Sequence, residues 1–67
     1  MSSWIGPRVV GGRYLSGYWR KSYTVVEIID ISMEMTCVWE DGETTVHGTC
    51  WDETCDKVVS DPFAYNK

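Results

Sequence analysis

Asp41-Gly42 lies between two runs in which apolar and polar residues alternate, and no other feature constrains the fold of this chain as tightly. A type I′ turn needs positive φ at both central residues, and Asp-Gly tolerates it, so the pair predicts a two-residue β-hairpin. The register then follows. Glu40 faces Glu43, Trp39 faces Thr44, Cys37 faces Val46, Met35 faces Gly48 and Met33 faces Cys50. Strand side chains alternate with a period of two. One face therefore carries Met33, Met35, Cys37, Trp39, Val46 and Cys50; the other carries Glu34, Thr36, Val38, Glu40, Glu43, Thr45, His47, Thr49 and Trp51. A slip of one residue would mix the two sets. The expectation is that Trp39 and the thiols point inward, and that the acids and Trp51 look out.

Around this hairpin, Tyr23 to Ile31 is rich in β-branched and aromatic residues that fit a pleated, half-buried surface, and it predicts the first long strand. Asp30 to Ser32 supplies a turn. The acidic stretch Asp52-Glu-Thr-Cys-Asp56 has turn composition, and Lys57-Val-Val-Ser60 reads as a closing strand that Asp61-Pro62 stops; Phe63 to Lys67 either docks its aromatics or frays. Residues 1–22 contain four glycines and a proline among their turn-forming residues and show no helical period, with at most a short strand at Arg8 to Val10. They read as a basic, aromatic arm or long loop packing on a β-barrel core formed by residues 23–67. The 67 residues are enough for one domain with one small core. Short strands, tight turns and no helix longer than a turn give an all-β fold: a small SH3-like barrel or a strongly bent antiparallel meander, which buries one face and protects its edges.

Charge divides the chain. Residues 1–22 carry Arg8, Arg13, Arg20 and Lys21 and no acid, while the remainder carries all ten acids, for a formal net charge of −4. That balance disfavours general affinity for nucleic acid or anionic lipid, because both are polyanions. No apolar run is long enough to span a bilayer, and Met1-Ser2-Ser3-Trp4 lacks the order of a signal peptide, so a cytoplasmic location is expected. Three cysteines, Cys37, Cys50 and Cys55, make an odd set that reads as free thiols in a reducing compartment, with one bridge left open.

From Gly17 to Ser60 the segments Gly-Tyr-Trp-Arg-Lys-Ser-Tyr-Thr-Val, Val-Trp-Glu-Asp-Gly, His-Gly-Thr-Cys-Trp-Asp and Asp-Lys-Val-Val-Ser resemble small uncharacterised proteins of actinobacteria and their phages. The resemblance covers roughly two thirds of the chain at the level of pattern. It implies a small accessory protein that touches a host or phage macromolecule, and it supplies no catalytic residue.

The residues themselves offer no catalytic constellation. Cys37, His47, Cys50 and Cys55 have neither the Cys-x-x-Cys nor the Cys-x-x-His spacing of a zinc site, and the register separates His47 from Cys37 and Cys50, so buried structural thiols are expected and neither metal nor cofactor. The same separation removes a Cys–His nucleophilic pair. Glu34, Glu40 and Glu43 on an open sheet face are solvated and serve solubility and edge protection. Two surfaces remain. Tyr14, Tyr18, Trp19 and Tyr23 alternate with Arg13, Arg20 and Lys21, a mixture suited to peptide recognition or to base stacking, with about half of the rings expected in the core. Trp51 and Val38, ringed by Glu34, Glu40, Glu43, Asp52 and Glu53, form the second: an apolar anchor within an acidic rim, suited to a basic protein surface or to a second copy. The expected function is a non-catalytic protein-interaction module of a monomer or homodimer. The alternatives are nucleic-acid binding through the basic aromatic arm, with Tyr14, Tyr18 and Trp19 beside the cations Arg13, Arg20 and Lys21, and acidic mimicry of nucleic acid.

Overall fold

A computed structural model describes residues 4–48 and 50–60. Five antiparallel strands form one sheet: β1 (Arg13–Leu15), β2 (Ser22–Ile29), β3 (Glu34–Trp39), β4 (Thr44–His47) and β5 (Lys57–Ser60). Their order is β4-β3-β2-β1-β5, so β1 lies between the longest strand and the last one. No helix occurs among the described residues, and none is therefore long and apolar enough to cross a membrane. The all-β expectation holds. The expected strand at Arg8 to Val10 does not form; those residues belong to an irregular coil, and the arm's strand is Arg13–Leu15. Asp61 to Lys67, with the expected strand stop and aromatic tail, lie outside the described residues.

The hairpin forms around Asp41-Gly42, but in a register one residue away from the expected one. Val38 pairs with Thr44, Cys37 with Thr45, Thr36 with Val46 and Met35 with His47. The Trp39 amide donates to the Glu43 carbonyl (2.8 Å) and the Gly42 amide donates to the Trp39 carbonyl (2.8 Å), which encloses Glu40, Asp41 and Gly42 in a three-residue loop. Only Gly42 takes positive φ, at 94°. This loop asks the left-handed conformation of glycine alone, whereas a type I′ turn would also impose it on Asp41. The slip has a second cause. The buried indole of Trp39 needs an acceptor, and it donates from Nε1 to Thr45 Oγ1 at 2.7 Å, a partner that the expected register would have turned to solvent. Val46 is the residue displaced: expected inward, it faces out at 58% exposure.

On β2 a bulge at Val26 corrects the alternation. Val25 pairs with Cys37 and Glu27 with Thr36, leaving Val26 as the extra residue. Without it, Glu27 would follow Tyr23 and Val25 into the core; with it, Glu27 stays exposed and Ile28 meets Met35 on the inner face. The core is Tyr14, Tyr23, Val25, Met35, Cys37 and Trp39, packed by the partly buried Trp4, Ile5, Ile28 and Trp51. Four rings form a spine through it: Trp39 lies 5.0 Å from Tyr23, Tyr23 5.9 Å from Tyr14, and Tyr14 6.0 Å edge-on to Trp51. Met33 and Cys50, expected inward, are exposed, because β3 begins only at Glu34 and β4 ends at His47.

Candidate functional site: an aromatic groove between two loops

The structure divides the residues named from sequence into two groups. Tyr14 is 0% exposed and Tyr23 is 4% exposed, so these two rings of the arm's aromatic set are core and Tyr14 is corrected from contact residue to packing residue. Tyr18 and Trp19, at 81% and 58% exposed, are the two that reach solvent. Trp51 is also corrected. It is half-buried: it packs on Tyr14, lies against Gly6, and has the Arg8 guanidinium 5.3 Å from its ring centroid, while Glu53 and Asp56 line the same surface depression. Glu34 opens β3 and Glu40 lies just past its other end in the hairpin loop, roughly 20 Å away by strand rise, with half-buried Val38 on the strand between them. Exposed Glu43 pairs opposite Trp39 beyond the loop, so the acids do not form one rim around an apolar anchor.

What the fold assembles instead is a groove of about 480 Å³. One wall is the β1–β2 loop, Ser16 to Trp19; the floor is Tyr23, Met35 and Trp39 with Arg8; the other wall is Cys50, Asp52, Cys55 and Asp56. Short-range bonds shape each wall. Ser16 receives the Arg20 amide on its carbonyl (2.8 Å) and the Trp19 amide on Oγ (3.2 Å), while Arg20 at φ 60° turns the chain back into β2. Opposite, Asp52 accepts the Thr54 amide (2.9 Å) and the Thr54 hydroxyl (2.6 Å), and its own amide donates to Asp56 Oδ2 (2.9 Å). The walls meet where the Gly17 amide donates to Asp56 Oδ1 at 2.8 Å. Gly17 lies so close to Cys55 that a Cβ there would collide with the Cys55 side chain and carbonyl, so the close approach requires glycine. Tyr18 and Trp19 contact each other edge-to-face, 4.8 Å between centroids, at the mouth.

Charges in and around the groove are fixed by hydrogen bonds. The Thr54 hydroxyl and amide, followed by the Cys55 thiol, hold the Asp52 carboxyl below its usual range, and the Cys55 thiol that donates to it is pushed up. Beside the groove, Lys21 Nζ pairs with Asp41 Oδ2 at 3.2 Å and stands 5.6 Å from the centroid of Trp39. The Glu43 amide, then Lys21, lowers Asp41, and the amide and hydroxyl of Ser22 lower Glu40, which tethers the hairpin loop to the start of β2. Burial pushes the Cys37 thiol up to about 11. Both shifted thiols thus move away from thiolate, the reactive form. Among the described residues no cluster of three or more His, Cys, Asp and Glu is placed to hold a metal ion.

Arg8 is the residue that sequence reasoning missed. It is 4% exposed, and its guanidinium donates from Nε to the Ile5 carbonyl (2.8 Å), from Nη2 to the Trp4 carbonyl (2.9 Å) and from Nη1 to Tyr23 Oη (3.0 Å). A cation in a glycine-rich, basic stretch reads as solvated, and nothing local marks this one as the clasp between coil, β2 and Trp51. No protein-family model, curated protein or solved structure matches the chain.

Proposed function

We propose that the protein is a small, non-catalytic interaction module that holds a segment of a partner protein in the groove between the β1–β2 loop and residues 50–56. The observation that carries this reading is the Tyr18–Trp19 pair: two large rings, in contact and exposed, at the mouth of a cavity floored by Tyr23 and Trp39. Exposed aromatics are expensive to leave in water and are typical anchors of recognition surfaces. We further propose that the sheet curls as a small SH3-like barrel. The interior position of β1 between β2 and β5, and the bulges in β2 and at the β1–β5 pairing, support that geometry, since bulges sharpen the twist that closes a short sheet. An accessory or regulatory role is what the resemblance to actinobacterial and phage proteins implies.

The experiment is an affinity capture with the full chain against its Trp19→Ala and Tyr18→Ala variants, with stability measured in parallel. A partner held by the native protein is expected to be released by both substitutions at unchanged folding midpoint. Equal retention by the variants would remove the groove from consideration. A second reading, single-stranded nucleic-acid binding, draws on the run Tyr18-Trp19-Arg20, all three exposed, followed by Lys21. It predicts binding to an oligonucleotide that is lost with Arg20→Ala and falls steeply with salt.

A further inference from the structure

We infer that the groove takes a basic side chain, a lysine or arginine carried on an extended partner segment, whose cation rests against the rings of Trp19 and Tyr18 and faces the carboxylates of Asp52 and Asp56. This deepens the interaction-module reading and rests on it. Aromatic ring faces are the negative side of the ring quadrupole and attract cations, most strongly where solvent is partly excluded. The same contact occurs on tryptophans among the described residues: Arg8 lies 5.3 Å from the Trp51 centroid and Lys21 5.6 Å from that of Trp39. Trp19 and Tyr18, by contrast, meet only each other among the aromatic and cation contacts of the described residues; their edge-to-face contact covers one ring face, and the remaining exposed ring surface is open to a guest.

The opposite wall supplies the matching charge. Asp56 is fixed by the amides of Gly17 and Asp52, and Asp52 by Thr54, so neither carboxylate has to be ordered when a guest arrives. Each carboxylate oxygen has two lone pairs, so these bonds leave acceptor capacity for an ammonium or guanidinium. Arg8 contributes one positive charge at the floor, but it donates to two carbonyls and the Tyr23 hydroxyl and lies against Trp51, and the two carboxylates outnumber it. A phosphate entering the groove would meet Asp52 and Asp56, and the formal net charge of −4 also steers cations toward the molecule. The volume of about 480 Å³ exceeds what a cation alone needs and accommodates the aliphatic stem, which can lie over Met35 on the floor.

The test uses the full chain and short synthetic peptides of Gly and Ser around one central residue: arginine, lysine, or the uncharged analogues citrulline and norleucine. A proline-rich peptide without charge and a thymidine oligonucleotide complete the panel, and binding is followed by the indole N–H signals in NMR. Saturable shifts of the Trp19 signal with the arginine or lysine peptide are expected, with binding about tenfold weaker for the uncharged analogues and for Asp52→Asn, and weaker again at high salt. Citrulline and norleucine peptides that bind as well as the charged ones would overturn the inference. If the proline-rich peptide binds, loses binding with Trp19→Ala and ignores Asp52→Asn, the interaction module stands and the cationic guest does not. Binding of the oligonucleotide alone transfers the groove to nucleic acid and rejects the cation. Silence from every probe rejects both readings of the groove. The citrulline and norleucine arms use the native protein, so an unstable variant leaves the result intact.

Discussion

At the scale of the residue, Arg8 and Cys37 show how burial converts chemistry into stability. Arg8 satisfies two backbone carbonyls and a phenol with one planar fork of donors, a geometry that the single ammonium of lysine cannot reproduce. Arg8→Lys is therefore expected to lower the unfolding free energy by about 2 kcal/mol and Arg8→Ala by about 3, in urea melts, because buried acceptors are left unpaired. For a domain with so small a core, such losses are a large share of the total. Cys37 is 0% exposed, and its thiol is raised from 9.0 to about 11 by burial. Below about pH 9 both folded and unfolded chains keep that proton; between about 9 and 11 only the unfolded chain releases it, so stability falls as pH rises. The loss by pH 11 is about 2 kcal/mol. The Tyr23 hydroxyl, also raised by burial, acts in the same direction. Urea midpoints measured from pH 8 to pH 11 should fall, and Cys37→Ala should flatten the first part of that slope.

At the scale of the element, the turns reveal which backbone conformations the chain can bear. Gly42 at φ 94° has open space around it, so Gly42→Ala meets no steric contact and tests the left-handed conformation alone, with an expected loss of about 1 kcal/mol. Met33 is the converse: an exposed, non-glycine residue at φ 56° whose amide closes the Asp30–Met33 turn between β2 and β3. Met33→Gly removes that strain while raising the entropy of the unfolded chain, and a net gain of about 0.5 kcal/mol is expected in the same melts. A loss at Met33 would mean that its side chain, rather than the backbone, sets the turn.

At the scale of the whole molecule, closure of the fold depends on residues far apart in sequence. The Trp51 amide donates to the Trp4 carbonyl at 3.0 Å, and the Trp51 ring lies on Tyr14 and beneath Arg8, so the N-terminal coil and the segment after β4 shut over the same end of the core. Trp51→Ala is expected to destabilise the protein by about 2–4 kcal/mol in thermal or urea unfolding, with its effect on binding arising only through the folded fraction. A Trp51→Ala protein that stayed as stable as the native chain yet lost its partner would return Trp51 to the contact surface. Much of the architecture was legible beforehand: strands at β2, β3, β4 and β5, a hairpin at Asp41-Gly42, and inward Met35, Cys37 and Trp39 all follow from periodicity and turn residues. Half of the arm's rings were correctly expected in the core, but which half was not readable. Tyr14 and Tyr18 have the same local chemistry, and only the pairing of Tyr14 between Tyr23 and Val58 buries one of them.

The amino-acid order alone determined an all-β chain with one reversal at Gly42, because side-chain alternation and the tolerance of glycine for positive φ are local properties. Tertiary structure decided the rest: the one-residue register, set where the Trp39 indole found Thr45; the burial of Arg8 and Trp51; and the groove. Its walls, Gly17 and Asp56, are separated by 39 positions and joined by a hydrogen bond that no local pattern encodes.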